Sequence, residues 1–287
     1  MKTLITGSSG FIGRNLLSLF DNSDIYYLIN KKNKCSNRKN LIFGNLQENE
    51  TLEKIYLQKF DRVLHLAWEG LPLRNKEKNE LNEVLSRNLI DSLISSNKNC
   101  ELNFTGSCFE YGNIIGCVNE NQSPSEISDF GKTKLNLLNY VKSKTDNFRW
   151  FRPFFVYGPN QHQGSIINYI SSQVKEEKEI ALREPDSSFD YIYVGDVAFL
   201  MWSAIQVQEM KGIINIGSGK LTSNLEIVQL VKKFYKKENF EDSNFDKRKK
   251  KGLFSDNSKI NEFFPHFKFT NITEGIKKTL KERSIDR

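Results

Sequence analysis

The sequence predicts an α/β fold, a doubly wound parallel sheet joined to a smaller, discontinuous α/β cap. Three observations carry this expectation. Short apolar runs alternate with helical patterns through the first half of the chain, the signature of parallel strands with helices on both faces. A glycine-rich turn joins the first apolar run directly to the first helical pattern. The second half breaks this rhythm into separated helical stretches and short β-type runs.

Taken in order, the strands expected in the first half are Lys2–Thr6, Ile25–Ile29, Leu41–Phe43, Arg62–Leu66, Leu102–Thr105 and Trp150–Val156. Phe11–Phe20 places apolar residues at 12, 16, 19 and 20, a helical spacing, and Asn82–Ile94 repeats it with Val84, Leu85, Leu89, Leu93 and Ile94. A further helix is expected over Leu135–Val141. In the second half, Ser165–Lys178, Leu225–Lys237 and Ile272–Leu280 read as helices, and Tyr191–Val194 and Gly212–Ile216 as short β runs. The expected division is a sheet domain over 1–157 plus about 189–215, and a cap over about 158–188 plus 216–287.

The bulk properties bound the function. The chain has 287 residues, enough for one large or two small domains. Hydrophobic residues make up 38%, enough for a core, and no apolar run approaches bilayer-spanning length. The start, MKTLITGSSG, enters a strand without a basic segment and long apolar stretch, so no signal peptide and no membrane partner are expected, and the sparse cysteines suggest a reduced cytoplasmic compartment. The net charge of +7 raises the question of nucleic acid. The lysines are scattered, however, and the densest cluster, Lys247 to Lys251, follows an acidic, Asn-rich stretch, which reads as a solvated loop. No nucleic-acid partner is expected, while a mildly positive surface suits an anionic small molecule. Cys35, Cys100, Cys108 and Cys117 match no zinc spacing and no disulfide framework, so neither metal nor disulfide is expected.

Thr6-Gly7-Ser8-Ser9-Gly10-Phe11-Ile12-Gly13 lies between strand and helix. Glycines there allow a tight turn and let a pyrophosphate approach the backbone, and the helix start offers N–H groups and a positive dipole end. The context makes this a dinucleotide-binding turn of Rossmann type. The second strand ends Ile29-Asn30-Lys31-Lys32. No carboxylate is present to accept from the adenosine ribose hydroxyls, two lysines stand where a 2′-phosphate would lie, and Arg14 could assist them. NADP(H) is therefore favoured over NAD(H), which stays the alternative.

The G-x-x-G-x-x-G spacing resembles that of the short-chain dehydrogenase/reductases, in particular their extended branch, and further segments match in order through residue 230 or so. The resemblance puts Asn45 and Leu46 near the adenine and Leu66, Ala67 and Trp68 along the cofactor. It puts His65 in a structural position and Asn82 and Asn88 at the two asparagines of a helix pattern. Arg152-Pro153 and Tyr157-Gly158-Pro159 match a strand exit, with Pro153 near the cofactor. Asp190 to Asp196 and Asn215 to Gly219 match cap segments.

The same resemblance implies the chemistry. Thr105-Gly106-Ser107-Cys108-Phe109-Glu110-Tyr111-Gly112 places Ser107 at the catalytic serine, where a hydroxyl would polarise a ketone. Sugar 4,6-dehydratases carry an Asp-Glu pair next; here the pair is Cys108-Phe109, and Glu110 falls one residue late, which argues against dehydration. Asp129-Phe130-Gly131-Lys132-Thr133-Lys134 is similar to the Tyr-x-x-x-Lys run with Lys134 kept and Phe130 at the tyrosine position. Loss of a positioned general acid costs on the order of 10²–10⁴ in rate. Ser107, Cys108, water relayed by Lys134, Tyr111, Tyr157 and His162 are the substitutes to consider. The Arg that often precedes the cap-strand Asp is Phe189 here, and Arg183 is the nearest replacement. Tyr111, Tyr157, His162 and Arg183 are therefore the substrate-side candidates.

The segments His65 to Pro72 and Thr105 to Gly112 look like those of the nucleotide-sugar 4-ketoreductases that form dTDP-6-deoxy-talose and dTDP-fucose. That resemblance implies reduction of a nucleoside-diphosphate 4-keto-6-deoxy sugar, for surface polysaccharide, by a homodimer. The alternatives are a nucleotide-sugar epimerase or dehydrogenase that retains NAD, and a non-catalytic nucleotide-binding homologue.

Overall fold

The computed structural model describes residues 1–19, 24–30, 40–71, 75–182, 187–236 and 251–282. The expected cofactor residues Lys31 and Lys32, the substrate candidate Arg183, and Lys247 to Lys250 of the basic cluster lie outside these. The strands are β1 (Thr3–Thr6), β2 (Ile25–Ile29), β3 (Leu41–Phe43), β4 (Arg62–His65), β5 (Glu101–Thr105), β6 (Gly116–Val118), β7 (Phe148–Pro153), β8 (Phe155–Tyr157), β9 (Ser188–Tyr193), β10 (Gly212–Ile216), β11 (Leu221–Ser223) and β12 (Leu253–Ser255). The helices are α1 (Phe11–Leu17), α2 (Asn49–Gln58), α3 (Lys76–Ser96), α4 (Asp129–Lys144), α5 (Ile166–Lys175), α6 (Val194–Ala204), α7 (Asn224–Phe234), α8 (Ser258–Phe263) and α9 (Ile272–Glu282).

Seven strands form one sheet in the order β10-β7-β5-β4-β1-β2-β3. The pairs β1–β2, β1–β4, β2–β3, β4–β5 and β5–β7 are all parallel. The order reverses at β1, so the crevice beyond the carboxyl ends of β1 and β4 is the topological switch point, where ligands bind in such sheets. The expected doubly wound parallel sheet is therefore present.

The chain divides into two compact units. One comprises Met1–Asn113, Ser123–Arg152 and Ala198–Ile214; the other comprises Ile114–Gln122, Pro153–Val197 and Asn215–Arg287. In the first, Leu4, Val63, Leu102 and Trp150 of the sheet pack with Leu89, Ile90 and Leu93 of α3 and Leu137, Leu138 and Val141 of α4. In the second, Tyr157 and Tyr191 pack with Ile167, Ile170 and Val174 of α5, Ile227, Val228 and Val231 of α7, and Ile276 and Leu280 of α9. Its strands form a three-stranded sheet, β11-β9-β8, and the parallel pair β12-β6, which brings Gly116–Val118 into this unit.

Several elements differ from the sequence expectation. The run Trp150–Val156 is two strands in two sheets. Pro153 has no N–H to continue the ladder, and Phe154 N–H instead bonds to Ile216 O at 2.9 Å. Helix α1 ends at Leu17 rather than Phe20, where the Ser18 hydroxyl donates to Asn15 O at 2.7 Å and competes with the helical ladder. Helix α3 begins six residues before Asn82. Its first turn is polar and silent to apolar periodicity, but the Asn75 side chain caps it by accepting from Lys78 N. Helix α4 likewise begins at Asp129, where Ser128 Oγ accepts from Gly131 N, so Phe130 and Lys134 lie on a helix one turn apart. Helix α6 gave no helical signal because it is apolar nearly all round.

The second unit is organised around Asp190, which is fully buried. Its carboxylate accepts from Ser218 N at 2.7 Å and Ser218 Oγ at 2.6 Å, from Gly219 N at 3.1 Å, and from Ser255 N and Ser255 Oγ at 3.0 Å each. One side chain thus ties β9, β12 and the turn after β10 together. Hydrogen bonds to an ionised group are worth about 1.5–3 kcal/mol each, and the donors become orphans if it is removed. Asp190→Ala is expected to lower stability by about 3 kcal/mol or more, and Asp190→Asn by less. Urea denaturation measures both; a change within about 0.5 kcal/mol for the alanine would contradict this role.

Candidate active site

The first unit carries two clusters at the carboxyl ends of its strands. One is the loop after β1. Gly7 takes φ +73°, and a Cβ there would stand 2.5 Å from Ala67 N and 2.7 Å from Leu66 C. The loop therefore runs against the exit of β4 with no room for a side chain. Gly10 N–H closes the turn onto Gly7 O at 2.9 Å, and Gly10 is the N-cap of α1, which begins Phe11-Ile12-Gly13. Ser8 Oγ is buried with no hydrogen-bond partner among the described residues. Arg14 Nε donates to Ser9 O at 2.7 Å, so this guanidinium buttresses the loop itself. A backbone turn bare of side chains, with an orphaned hydroxyl beneath it, fits a dinucleotide pyrophosphate.

Around it, Asn30 is the exposed residue that follows β2. Asn45 Oδ1 accepts from Gln47 N at 3.1 Å and turns the chain into α2, while Leu46 is 8% exposed and belongs to the apolar core. The turn after β4 is pinned from α3: Asn82 Nδ2 donates to Glu69 O, Glu69 N donates to Asn82 Oδ1, and Trp68 Nε1 donates to Asn79 Oδ1. Asn88 is exposed. Beneath this turn His65 is buried, with Nδ1 2.7 Å from Thr6 Oγ1 and Nε2 3.0 Å from Ser86 Oγ. Burial first, and the nearby charge of Lys134 second, push its pKa down to about 3, so it is a neutral packing residue at physiological pH.

The second cluster joins β5, the 3-10 turn Cys108–Tyr111, and α4. Ser107 opens the turn; its Oγ accepts from Phe109 N at 3.2 Å, which leaves its hydroxyl proton free to be donated. Lys134 reaches in from α4, with its ammonium donating to Thr105 O at 2.8 Å and standing 3.3 Å from the Trp68 ring centroid. The Phe130 ring meets Trp68 and Phe109 edge-on, at 6.1 Å from each. Lys134, Phe130 and Trp68 therefore converge, with the Lys134 ammonium 5.9 Å from the Phe130 ring, and Ser107 lies on the turn between Thr105 and Phe109 that this cluster holds. Burial brings the Lys134 pKa down to about 7, opposed by the charge of Glu110.

Glu110 is the residue whose role the sequence did not reveal. It is fully buried, and its carboxylate accepts from Ser107 N at 2.7 Å, from Trp150 Nε1 at 2.9 Å and from Arg152 Nε at 2.7 Å. Burial raises its pKa, and the Arg152 guanidinium counters that shift. Instead of standing in the line of chemistry, it fixes the backbone of Ser107 from below. Arg152 in turn stacks 4.6 Å over the Tyr111 ring, which is fully buried, so Tyr111 is packed under this pair and not presented to solvent. Cys108 is 2% exposed.

Pro153, Tyr157 and His162 belong to the second unit. Pro153 is buried at the end of β7, and His162 is exposed after β8. Tyr157 is 2% exposed within the apolar core, its hydroxyl has no partner among the described residues, and burial raises its pKa. That placement suits packing and is a poor one for a proton donor.

Residues 3–217 match the NAD dependent epimerase/dehydratase family. Among curated relatives, an ADP-L-glycero-D-manno-heptose-6-epimerase from Brachyspira hyodysenteriae is 27% identical over 83% of this chain and 82% of its own. A GDP-6-deoxy-D-talose 4-dehydrogenase from Aggregatibacter actinomycetemcomitans is 29% identical over 80% and 79%. Among solved structures, a UDP-glucuronic acid 4-epimerase from Bacillus cereus in complex with NAD superposes over the whole of both chains with a TM-score of 0.84 at 22% identity, which establishes the likeness of fold.

Two outcomes follow from the buried charges. Glu110→Gln leaves Arg152 buried without its counter-charge and should cost about 3–5 kcal/mol of stability by urea denaturation; a loss below about 1 kcal/mol would contradict the anchoring role. For Lys134, the folded pKa of about 7 lies below the ordinary value of 10.5. The unfolded chain therefore holds the extra proton between these values, and the cost of burying this lysine is full below pH 7 and fades as pH rises. The stability of the native protein relative to Lys134→Met should increase from pH 7 towards 10; a flat difference would place the folded pKa near its ordinary value.

Proposed function

We propose, from the premise that this chain belongs to the NAD dependent epimerase/dehydratase family, that it reduces a nucleoside-diphosphate 4-keto-6-deoxy sugar to the 4-hydroxy sugar. In this reading the reaction takes place in the cytoplasm, in a homodimer, and serves surface-polysaccharide synthesis. No helix among the described residues is long and apolar enough to cross a membrane, which is compatible with that setting.

The observation that carries the reading is Lys134 bonded to Thr105 O at the end of β5, with Ser107 opening the turn two residues on and followed by Cys108 and Phe109. Lys134 donates to Thr105 O, two residues before Ser107 in the chain, and a serine hydroxyl with a free proton together with an ammonium would polarise a carbonyl and stabilise the negative charge that develops on its oxygen. Cys108 and Phe109 supply no carboxylate pair for removal of water, so the ketone would be reduced without dehydration. A bound nicotinamide supplies the hydride. Gly7, Ser9, Gly10, Phe11, Ile12 and Gly13 would cradle its pyrophosphate, Leu66, Ala67 and Trp68 would line it, and Lys134 would hold it from α4. A relative named for oxidoreduction at C4 of GDP-6-deoxy-talose supports the position of the carbonyl.

Asn30 provides no carboxylate for the ribose hydroxyls, which supports NADP(H); the NAD named with the Bacillus cereus structure supports NAD(H). Both cofactors therefore belong in the test. The protein is incubated with dTDP-, GDP-, CDP- and UDP-4-keto-6-deoxy sugars and either NADPH or NADH, and cofactor oxidation is followed. Stoichiometric oxidation with one of these sugars is expected, with NADPH at least as effective as NADH. Interconversion of epimers with cofactor retained through purification and no net oxidation would place the chain with the epimerases. Cofactor binding with no turnover of any sugar would favour a non-catalytic role.

A further inference from the structure

The aromatic ring at position 130 has no hydroxyl, yet the surroundings of a proton donor are in place one helical turn away. Lys134 is 3% exposed, and its ammonium carries three N–H bonds. Among the described residues a single hydrogen-bond acceptor is provided for them, Thr105 O at 2.8 Å. The remaining contacts are the faces of Trp68 and Phe130, which remove water without accepting a proton. The charged and titratable groups that face it are few. Glu110, from the turn after β5, is committed to Arg152, Trp150 and the Ser107 N–H. His65, from β4, has both ring nitrogens occupied by Thr6 and Ser86. Arg152, from β7, is held by Glu110. None of these forms an ion pair with Lys134. An ammonium with no ion pair among the described residues, bonded to the carbonyl two residues before Ser107, is placed to give up a proton.

We infer, resting on the function proposed above, that Lys134 is itself the proton donor to the keto oxygen and takes over the role for which residue 130 has no hydroxyl. The step balances simply. The carbonyl π bond opens as two electrons arrive at carbon as hydride from a reduced nicotinamide, an O–H bond forms, and one N–H bond of Lys134 breaks. The neutral amine left behind regains a proton from water. Ser107 donates a hydrogen bond to the same oxygen throughout and keeps its proton. The apolar ring of Phe130 contributes by desolvating the ammonium. The downward shift of Lys134 to about 7 supports the assignment, since a general acid works best with a pKa near the working pH.

Two measurements test it. In cofactor-free protein with 13C-labelled lysine, one Cε resonance should titrate near pH 7 while the others titrate near their ordinary value, and it should vanish in Lys134→Arg. On whichever 4-keto sugar is turned over, the reduction rate of the native chain should fall about tenfold per pH unit above the lysine pKa. Lys134→Arg should lose roughly 10²–10⁴ in rate together with that pH limb. Absence of the titrating resonance, or a Lys134→Arg enzyme that keeps both the pH limb and a rate within about tenfold, overturns the inference and leaves the proposed reduction standing. Failure of the native chain to reduce any sugar overturns the proposed function, and the inference with it.

Discussion

The buried carboxylate of Glu110 is the constraint on which the site depends. Removing such a charge from water is costly, and it is tolerated only when its lone pairs are filled and a counter-charge is at hand. Arg152, Trp150 and the Ser107 N–H meet those demands from β7 and from the turn itself. The arrangement explains the glycine before the serine. A Cβ at Gly106 would collide with Trp150 Nε1 and Glu110 Oε1, so only glycine lets the chain pass between the anchor and the indole. Ser107 is thereby set by groups below the chemistry and is independent of whatever binds above.

The same carboxylate acts at longer range. Lys134 is placed by α4, stripped of water by Trp68 and Phe130, and held up electrostatically by Glu110. Without that distant charge, burial alone would lower the lysine further. The balance of the two leaves an ammonium with a lowered pKa beside the apolar ring of Phe130. The apolar ring at 130 and the buried Glu110–Arg152 pair are thus parts of one electrostatic arrangement.

Much of this was legible in the sequence, for physical reasons that differ by element. The glycine loop announced itself because only glycine fits a turn pressed against the exit of β4. The strands β2, β3 and β10 matched their expected limits, since period and turn residues agreed there. Helix α2 was invisible because its sequence is mostly polar and it buries little beyond Thr51 and Ile55. The break between β7 and β8 was hidden because the run 150–156 is continuously apolar, and only Pro153 marks the switch of sheet. The Glu110–Arg152 pair could not be seen either: its partners are 42 residues apart, and no local pattern encodes a long-range ion pair. Tyr157 invited a substrate role through its place beside Gly158-Pro159, whereas tertiary packing puts its ring in a core.

The most direct measurement of the central claim follows the hydride itself. The native chain is given a nucleoside-diphosphate 4-keto-6-deoxy sugar and nicotinamide cofactor deuterated at the transferable position, and the sugar product is analysed by mass spectrometry and NMR. The account predicts one deuterium at C4 per cofactor oxidised. Cofactor consumption without deuterium in the sugar, or sugar turnover without cofactor consumption, would contradict it.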